Sequence, residues 1–218
     1  MQSFQLQDFR SVLCLGAHAD DIEIGCGASL LDWFERHPNL HVTWVVWSAA
    51  GERRAEARKS AEAYLEPLLR EHRAKILIEN FRDAYFPADW ADIKQRMAQL
   101  ATECQPDLVL THRLEDRHQD HRVLAELTWN AFRDQVVLEY EIPKFEGDLG
   151  QPNLYVPVST TSGQRKVELL HEFFITQTSK DWFTDSTFHA LMRLRGLECR
   201  APSGLAEAFY ARKLVWTL

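Results

Sequence analysis

The chain has 218 residues, is 45% apolar and carries a formal net charge of −7, so it can bury a sizeable core. Its acidic balance, with no basic block, argues against nucleic acid or an anionic membrane as the main partner, and no apolar run is long enough to span a bilayer. Met1–Arg10 lacks a signal-peptide pattern and the four cysteines, Cys14, Cys26, Cys104 and Cys199, form no Cys-x-x-Cys pair, so a single cytoplasmic domain over residues 1–218 with free thiols is expected.

In chain order, Ser11-Val12-Leu13-Cys14-Leu15 reads as a strand, and Asp21 to Glu35 places Ile22, Ala28, Leu30, Leu31 and Phe34 at mostly helical spacing. Between them stands a first polar cluster, Gly16-Ala17-His18-Ala19-Asp20-Asp21. His41 to Ser48 reads as a second strand, about Arg53 to Arg70 as a charged helix, Lys75 to Ile78 as a strand and Asp89 to Glu103 as a helix. Pro106 to Thr111 is a fourth strand. It precedes a second cluster, Asp116-Arg117-His118-Gln119-Asp120-His121-Arg122, and a helix from Gln119 to Phe132. Alternating strands and helices predict an α/β fold with a mostly parallel sheet, and a doubly wound order 3-2-1-4-5 makes strands one and four neighbours. The two clusters then meet at the topological switch point.

After Phe132 the pattern changes to a strand at Val136–Ile142, a loop at Pro143–Pro152 rich in Gly and Pro, and a strand at Leu154–Val158. Helical spacing at Gly163–Glu172 and Ser186–Leu197 completes an elaborated C-terminal part that walls the pocket and packs over the sheet or a neighbouring subunit, leaving a homo-oligomer open. Most tryptophans, including Trp44, Trp47, Trp90, Trp129 and Trp216, read as core or interface anchors. Trp182 is set apart by its polar stretch, Gln177 to Trp182, which offers a rim over the site, with plain helix packing as the alternative.

Imidazole and carboxylate ligands suit zinc, and a catalytic zinc keeps three protein ligands and an open position. His18, Asp21 and His121 are the expected ligands, with iron or another divalent ion able to serve in place of zinc. Asp20 then acts as general base, His118 stabilises the oxyanion and protonates the departing amine, and Asp120 orients His118. Taken singly, the first cluster reads equally as helix capping and the second as a solvated helix start. Their pairing favours the metal site. The glycines of Gly25-Cys26-Gly27 do not make a dinucleotide fingerprint, because His and Asp occupy the turn after the strand; they read as close-packing positions.

An Ala-His-x-Asp-Asp motif followed by glycines, with a later His-x-Asp-His motif, resembles the LmbE/PIG-L family of metal-dependent de-N-acetylases. The resemblance implies a Rossmann-like three-layer fold, a metal on His18, Asp21 and His121, Asp20 as base and His118 assisting. It departs at Ala19 and Gln119, where many relatives carry proline, and at Ala28, where they carry a second glycine. Leu205-Ala206-Glu207-Ala208-Phe209 resembles the family's closing segment, and Arg54 best matches an arginine that contacts substrate near the start of the second helix. The implied reaction removes the N-acetyl group from a small-molecule N-acetyl amino sugar or glycoconjugate, releasing acetate and a free amine. A metal-dependent amidase acting on a non-sugar N-acyl substrate is the alternative within enzymes. A Rossmann-like protein that binds metal or ligand without turnover is the other, against which the intact Asp20 and His118 argue.

Overall fold

The computed structural model describes residues 9–215, so Trp216 and the part of Met1–Arg10 before Phe9 lie outside it. Seven strands form one sheet in the order β3-β2-β1-β4-β5-β7-β6: β1 Ser11–Gly16, β2 His41–Val46, β3 Ala74–Ile78, β4 Leu108–Thr111, β5 Val136–Tyr140, β6 Leu154–Pro157 and β7 Ala206–Ala211. The first five are parallel, as a βαβ reading requires, and β1 lies between β2 and β4 with Cys14 paired to both Trp44 and Leu110. The closing segment adds what periodicity did not reveal: β7 runs antiparallel to both β5 and β6. Its apolar run is too short to declare its partner or direction.

Helices α1 Asp21–Arg36, α2 Gly51–Arg70, α3 Trp90–Glu103, α4 Gln119–Ala131, α5 Thr160–Phe173 and α6 Asp185–Cys199 cover both faces. Alternate strand residues feed two cores, as the period of two dictates. Val12 and Cys14 pack with residues of α1, α2 and α5, whereas Leu13 and Leu15 pack with Ile93, Met97 and Leu124 of α3 and α4. Burial on both faces explains why the central strands read as continuous apolar runs rather than alternating ones. Among the described residues no helix is long and apolar enough to cross a membrane.

Helix α1 is broken at Cys26, whose φ of −148° and ψ of 15° are not helical. The backbone groups this frees are met from elsewhere in the chain. Glu207 of β7 accepts from Ala28 N–H at 3.1 Å and Ser29 N–H at 2.7 Å, and Lys166 of α5 donates to the Ile24 carbonyl at 2.6 Å while pairing with Glu207 at 2.6 Å. A buried helix end without such partners is costly. The flanking glycines serve packing: a Cβ on Gly25 would stand 2.2 Å from Tyr140 Cδ2, and one on Gly27 would stand 2.7 Å from Tyr64 Oη. Tyr140 is fully buried and donates to the Leu15 carbonyl at 2.7 Å. Gly25→Ala should therefore destabilise the protein by about 1–3 kcal/mol through overpacking, read as a melting temperature lowered by roughly 2–4 °C per kcal/mol. An unchanged melting temperature would show that Tyr140 moves aside freely.

Candidate metal centre and active site

The turn after β1 delivers His18, Asp20 and Asp21 to the carboxyl edge of the sheet, and the neighbouring β4 leads into the segment carrying His118 and His121. Three candidate ligand atoms form a small triangle. His18 Nδ1 lies 3.3 Å from Asp21 Oδ2 and 3.1 Å from His121 Nε2, and the last two are 3.5 Å apart. Tetrahedral zinc with bonds near 2.0–2.1 Å separates its ligands by roughly 3.3–3.5 Å, so the spacing fits. Two imidazole nitrogens 3.1 Å apart need either a shared proton or a cation between them.

His121 Nδ1 faces Asp116 Oδ2 at 2.9 Å, so that nitrogen carries the hydrogen and Nε2 presents a lone pair. His18 Nε2 faces Asp120 Oδ2 at 3.2 Å and Asp83 Oδ1 at 3.1 Å, which leaves Nδ1 bare in the neutral ring. Burial and the neighbouring His112 ring push the His121 imidazole down to about 3, so it stays neutral. Burial would lower His18, but Asp21, Asp120 and Asp83 overcome it and raise its pKa well above the ordinary value. The site holds more carboxylate than its own cations balance, and a divalent ion suits that donor set.

Burial would raise Asp116, but the hydrogen bond from His121 and the nearby His112 and Lys144 hold its carboxyl well below the usual range. Lys144 Nζ bridges Asp116 at 3.0 Å and Asp148 at 2.7 Å, and His118 N–H donates to Asp116 Oδ1 at 2.8 Å. The Asp120 carboxylate, expected to orient His118, is used otherwise: besides His18 it accepts from Ala84 N–H at 2.6 Å and Phe86 N–H at 3.1 Å. It fixes the segment that carries Asp83, where Ala84 sits at a left-handed φ of 65°. His118 is instead oriented through the backbone, its Nδ1 accepting from Asp120 N–H at 3.3 Å as the cap of α4. That leaves Nε2–H as the donor on the cavity side, and burial and the His18 charge lower the His118 pKa.

Sequence reasoning passed over His112, one residue beyond β4. Its Nε2 accepts from Ala17 N–H at 2.9 Å and lies 3.1 Å from Asp21 Oδ2, and its ring stacks on His121 at 3.8 Å. Asp21, His112 and His121 also form a compact group, but the Ala17 N–H already occupies the lone pair that a metal would take. A histidine immediately after an apolar strand was the available signal. The arginine is also corrected. Arg54 is exposed and donates to the Glu79 carbonyl at 3.1 Å, whereas Arg53 reaches Asp20 Oδ1 at 2.7 Å. Burial pushes the Asp20 carboxyl up, and Arg53 opposes that shift.

The two clusters thus converge as one centre on a doubly wound sheet, and residues 13–132 match the family described as PIG-L, GlcNAc-PI de-N-acetylase. The chain belongs to that family. It is accordingly an enzyme of the deacetylase class. YaiS of Escherichia coli K12, described as an uncharacterized deacetylase, is 28% identical over 147 residues, which are 62% of this chain and 75% of YaiS. Among solved structures, N,N'-diacetylchitobiose deacetylase from Pyrococcus horikoshii shares the fold at a TM-score of 0.71 and 19% identity, covering 94% of this chain and 86% of that one. GalB, the 4-carboxy-2-hydroxymuconate hydratase of Pseudomonas putida, also shares it at 0.71 and 17% identity, over 96% and 98%. The de-N-acetylase fold therefore also carries a hydratase, and the reaction of a member must be argued from its site.

In this de-N-acetylase-family chain a cavity of about 710 Å³ opens above the triangle, walled by Asp20, Arg53, Asp83 and His118 and rimmed by Lys180 and Trp182. Arg53 is held on Asp20 by a third group. Its Nη1 donates to Glu56 Oε2 at 3.1 Å, and Glu56 accepts from Thr176 N–H at 2.8 Å and Thr176 Oγ1–H at 2.7 Å. Glu56→Gln weakens this charge-assisted bond, so kcat should fall roughly tenfold at unchanged metal content. Equal kcat in the two proteins would show that Arg53 needs no such support.

Proposed function

We propose that this chain is a zinc-dependent hydrolase that removes the N-acetyl group from an N-acetylated amino sugar or its conjugate, releasing acetate and a free amine. The observation that carries the reading is the triangle of His18 Nδ1, Asp21 Oδ2 and His121 Nε2 with edges of 3.1, 3.3 and 3.5 Å, placed beside a carboxylate that binds none of the three. Bound there, a divalent ion would supply Lewis acidity, making water a stronger acid and polarising a carbonyl. The remaining chemistry falls to the chain's own groups.

Asp20, buried at the cavity wall and paired with Arg53, takes the proton of the attacking water and returns it to the amide nitrogen as the C–N bond breaks. His118 donates its Nε2–H to the carbonyl oxygen as charge develops on it. With its Nε2–H engaged on the carbonyl oxygen, His118 leaves the proton on the departing amine to Asp20, in place of the role expected for His118 from the sequence. Asp116 and Asp120 hold His121 and His18 in orientation, and Arg53, rather than Arg54, is the arginine facing substrate.

Support for the sugar comes from family membership, and the alternative of a non-sugar N-acyl substrate uses the same groups. The test is release of primary amine and acetate from N-acetylglucosamine conjugates beside N-acetyl amino acids, with an enoate hydration assay as control for the hydratase chemistry the fold also supports. Equimolar acetate and amine from the sugar conjugates is the expected result. Amine from the amino acids alone moves the assignment to the amidase, and hydration without amine release overturns it.

A further inference from the structure

The cavity is larger than an acetylated monosaccharide requires. Its volume of about 710 Å³ lies well inside the roughly 300–1,000 Å³ range of pockets that enclose drug-sized ligands. Buried Asp20, Asp21 and His121 form its floor, and exposed or half-buried side chains from two connections form its rim. One lip, in the loop after β5, presents Phe145 with 77% of its surface exposed. The other, between α5 and α6, presents Lys180 and Trp182. Phe145 is left open beside a polar floor and Trp182 is half-buried against the core with part of its surface on the cavity, which marks a place where a ligand completes the burial.

The cationic side chains in the wall are not equivalent. Arg53 is engaged by Asp20 and Glu56, Arg82 by Asp89 through Nε and Nη2 at 3.0 and 2.6 Å, and Lys144 by Asp116 and Asp148. Lys180 has no carboxylate partner among the described residues; its Nζ stands 5.7 Å from the centroid of the Trp182 ring. A lysine over an indole face at a wet site is held by only about 0.5–1 kcal/mol. An incoming anion is the stronger partner for it. Asp181 does not line the cavity, and Glu146 belongs to the opposite lip, so an anion is directed to the Lys180 side.

The lip itself is a built turn. Lys180 N–H donates to the Gln177 carbonyl at 2.9 Å, Phe183 N–H to the Lys180 carbonyl at 3.0 Å, and Thr184 N–H to the Trp182 carbonyl at 3.0 Å. Phe183 is buried against Phe188 with ring centroids 5.1 Å apart, and Trp182 lies edge-on to Phe183 at 5.5 Å. Thr176, at the start of the turn, is bonded to Glu56 and through Arg53 to Asp20. The lip is therefore positioned relative to the reacting end of the cavity before substrate arrives.

We infer that Phe145, Lys180 and Trp182 form a subsite for the second moiety of a conjugated substrate, a flat aromatic or apolar group bearing an anionic substituent, with the flat group against Trp182 and Phe145 and the anion on Lys180. This rests on the N-deacetylase reading and narrows its substrate class from amino sugars in general to anionic conjugates.

The test compares N-acetylglucosamine, its phenyl glycoside and its 4-carboxyphenyl glycoside on the parent, Lys180→Gln and Trp182→Leu proteins, by amine release and by calorimetric binding. The carboxyphenyl glycoside should have the lowest KM on the parent. Lys180→Gln should raise that KM roughly five- to tenfold and leave the phenyl glycoside unchanged, while Trp182→Leu raises it for both aryl glycosides. Equal KM for the three substrates on the parent overturns the inference, as does a Lys180→Gln protein that loses all substrates alike. No amine from any substrate, with carboxyphenyl binding that still weakens in Lys180→Gln, rejects the deacetylase reading and upholds the subsite. Absent binding of either glycoside rejects the subsite whatever the reaction.

Discussion

Asp21→Ala should yield a folded protein with neither metal nor activity. Asp21 Oδ2 is a corner of the ligand triangle, accepts His18 N–H at 2.6 Å and stands 3.1 Å from His112 Nε2. Its removal leaves the imidazole nitrogens of His18 and His121, 3.1 Å apart, without the anion between them. Two neutral ligands hold a divalent ion far more weakly than three with one carboxylate. Purified parent protein should carry close to one equivalent of metal and the variant less than a tenth of that. Amine release should drop at least a thousandfold, equivalent to about 4 kcal/mol of barrier. Near-native circular dichroism in the variant separates this from unfolding, since Asp21 lies at the N-terminal end of α1 on the cavity floor and belongs to neither hydrophobic core. Equal metal content in both proteins would remove Asp21 from the ligand set.

Asp20→Asn should separate metal binding from turnover. The side chain keeps its shape and its hydrogen bond to Arg53 Nη2, 2.7 Å away in the parent, but cannot take a proton from water. Loss of a general base costs about 10²–10⁴ in rate, so kcat should fall within that range while metal content and KM stay near those of the parent. Asp20 is the charged partner of Arg53, whose own pKa is held up by Asp20 and Glu56 against the effect of burial, so a modest change in KM for an anionic substrate is compatible with the assignment. A variant that loses its metal as well would make Asp20 a ligand. Full activity in Asp20→Asn would hand the proton to another group, with His118 as the remaining candidate on the cavity wall.

Much of this architecture was legible in the chain. Strand and helix periodicities are local, each set by neighbours within one or two turns, and they were enough to place the first five strands and the order 3-2-1-4-5 seen in the sheet. Motif chemistry was equally local: histidine and aspartate at the ends of two apolar runs marked the candidate metal centre, because those positions fall at the carboxyl edge of a parallel sheet. The break in α1 at Cys26 was hidden by the apolar spacing on either side of it. So was β7, whose Glu207 and partner Lys166 close that break from 179 and 142 residues away.

What remained for the tertiary structure was the choice among chemically equal candidates. Adjacent helix positions point about 100° apart, so whether Arg53 or Arg54 turns to the cavity depends on how α2 rolls against the sheet, and packing set Arg53 there. Asp120 found the Ala84 and Phe86 N–H groups of a distant loop in place of the ring two positions before it. His112 and Lys144 acquired their roles from partners that no spacing links to them. The sequence by itself determined which elements form and which residue types gather at their ends, because those follow from short-range sterics and periodicity. Only the folded chain decided which atom faces which, because hydrogen-bond partners 20 to 180 residues apart are selected by packing and by the need to satisfy every buried polar group.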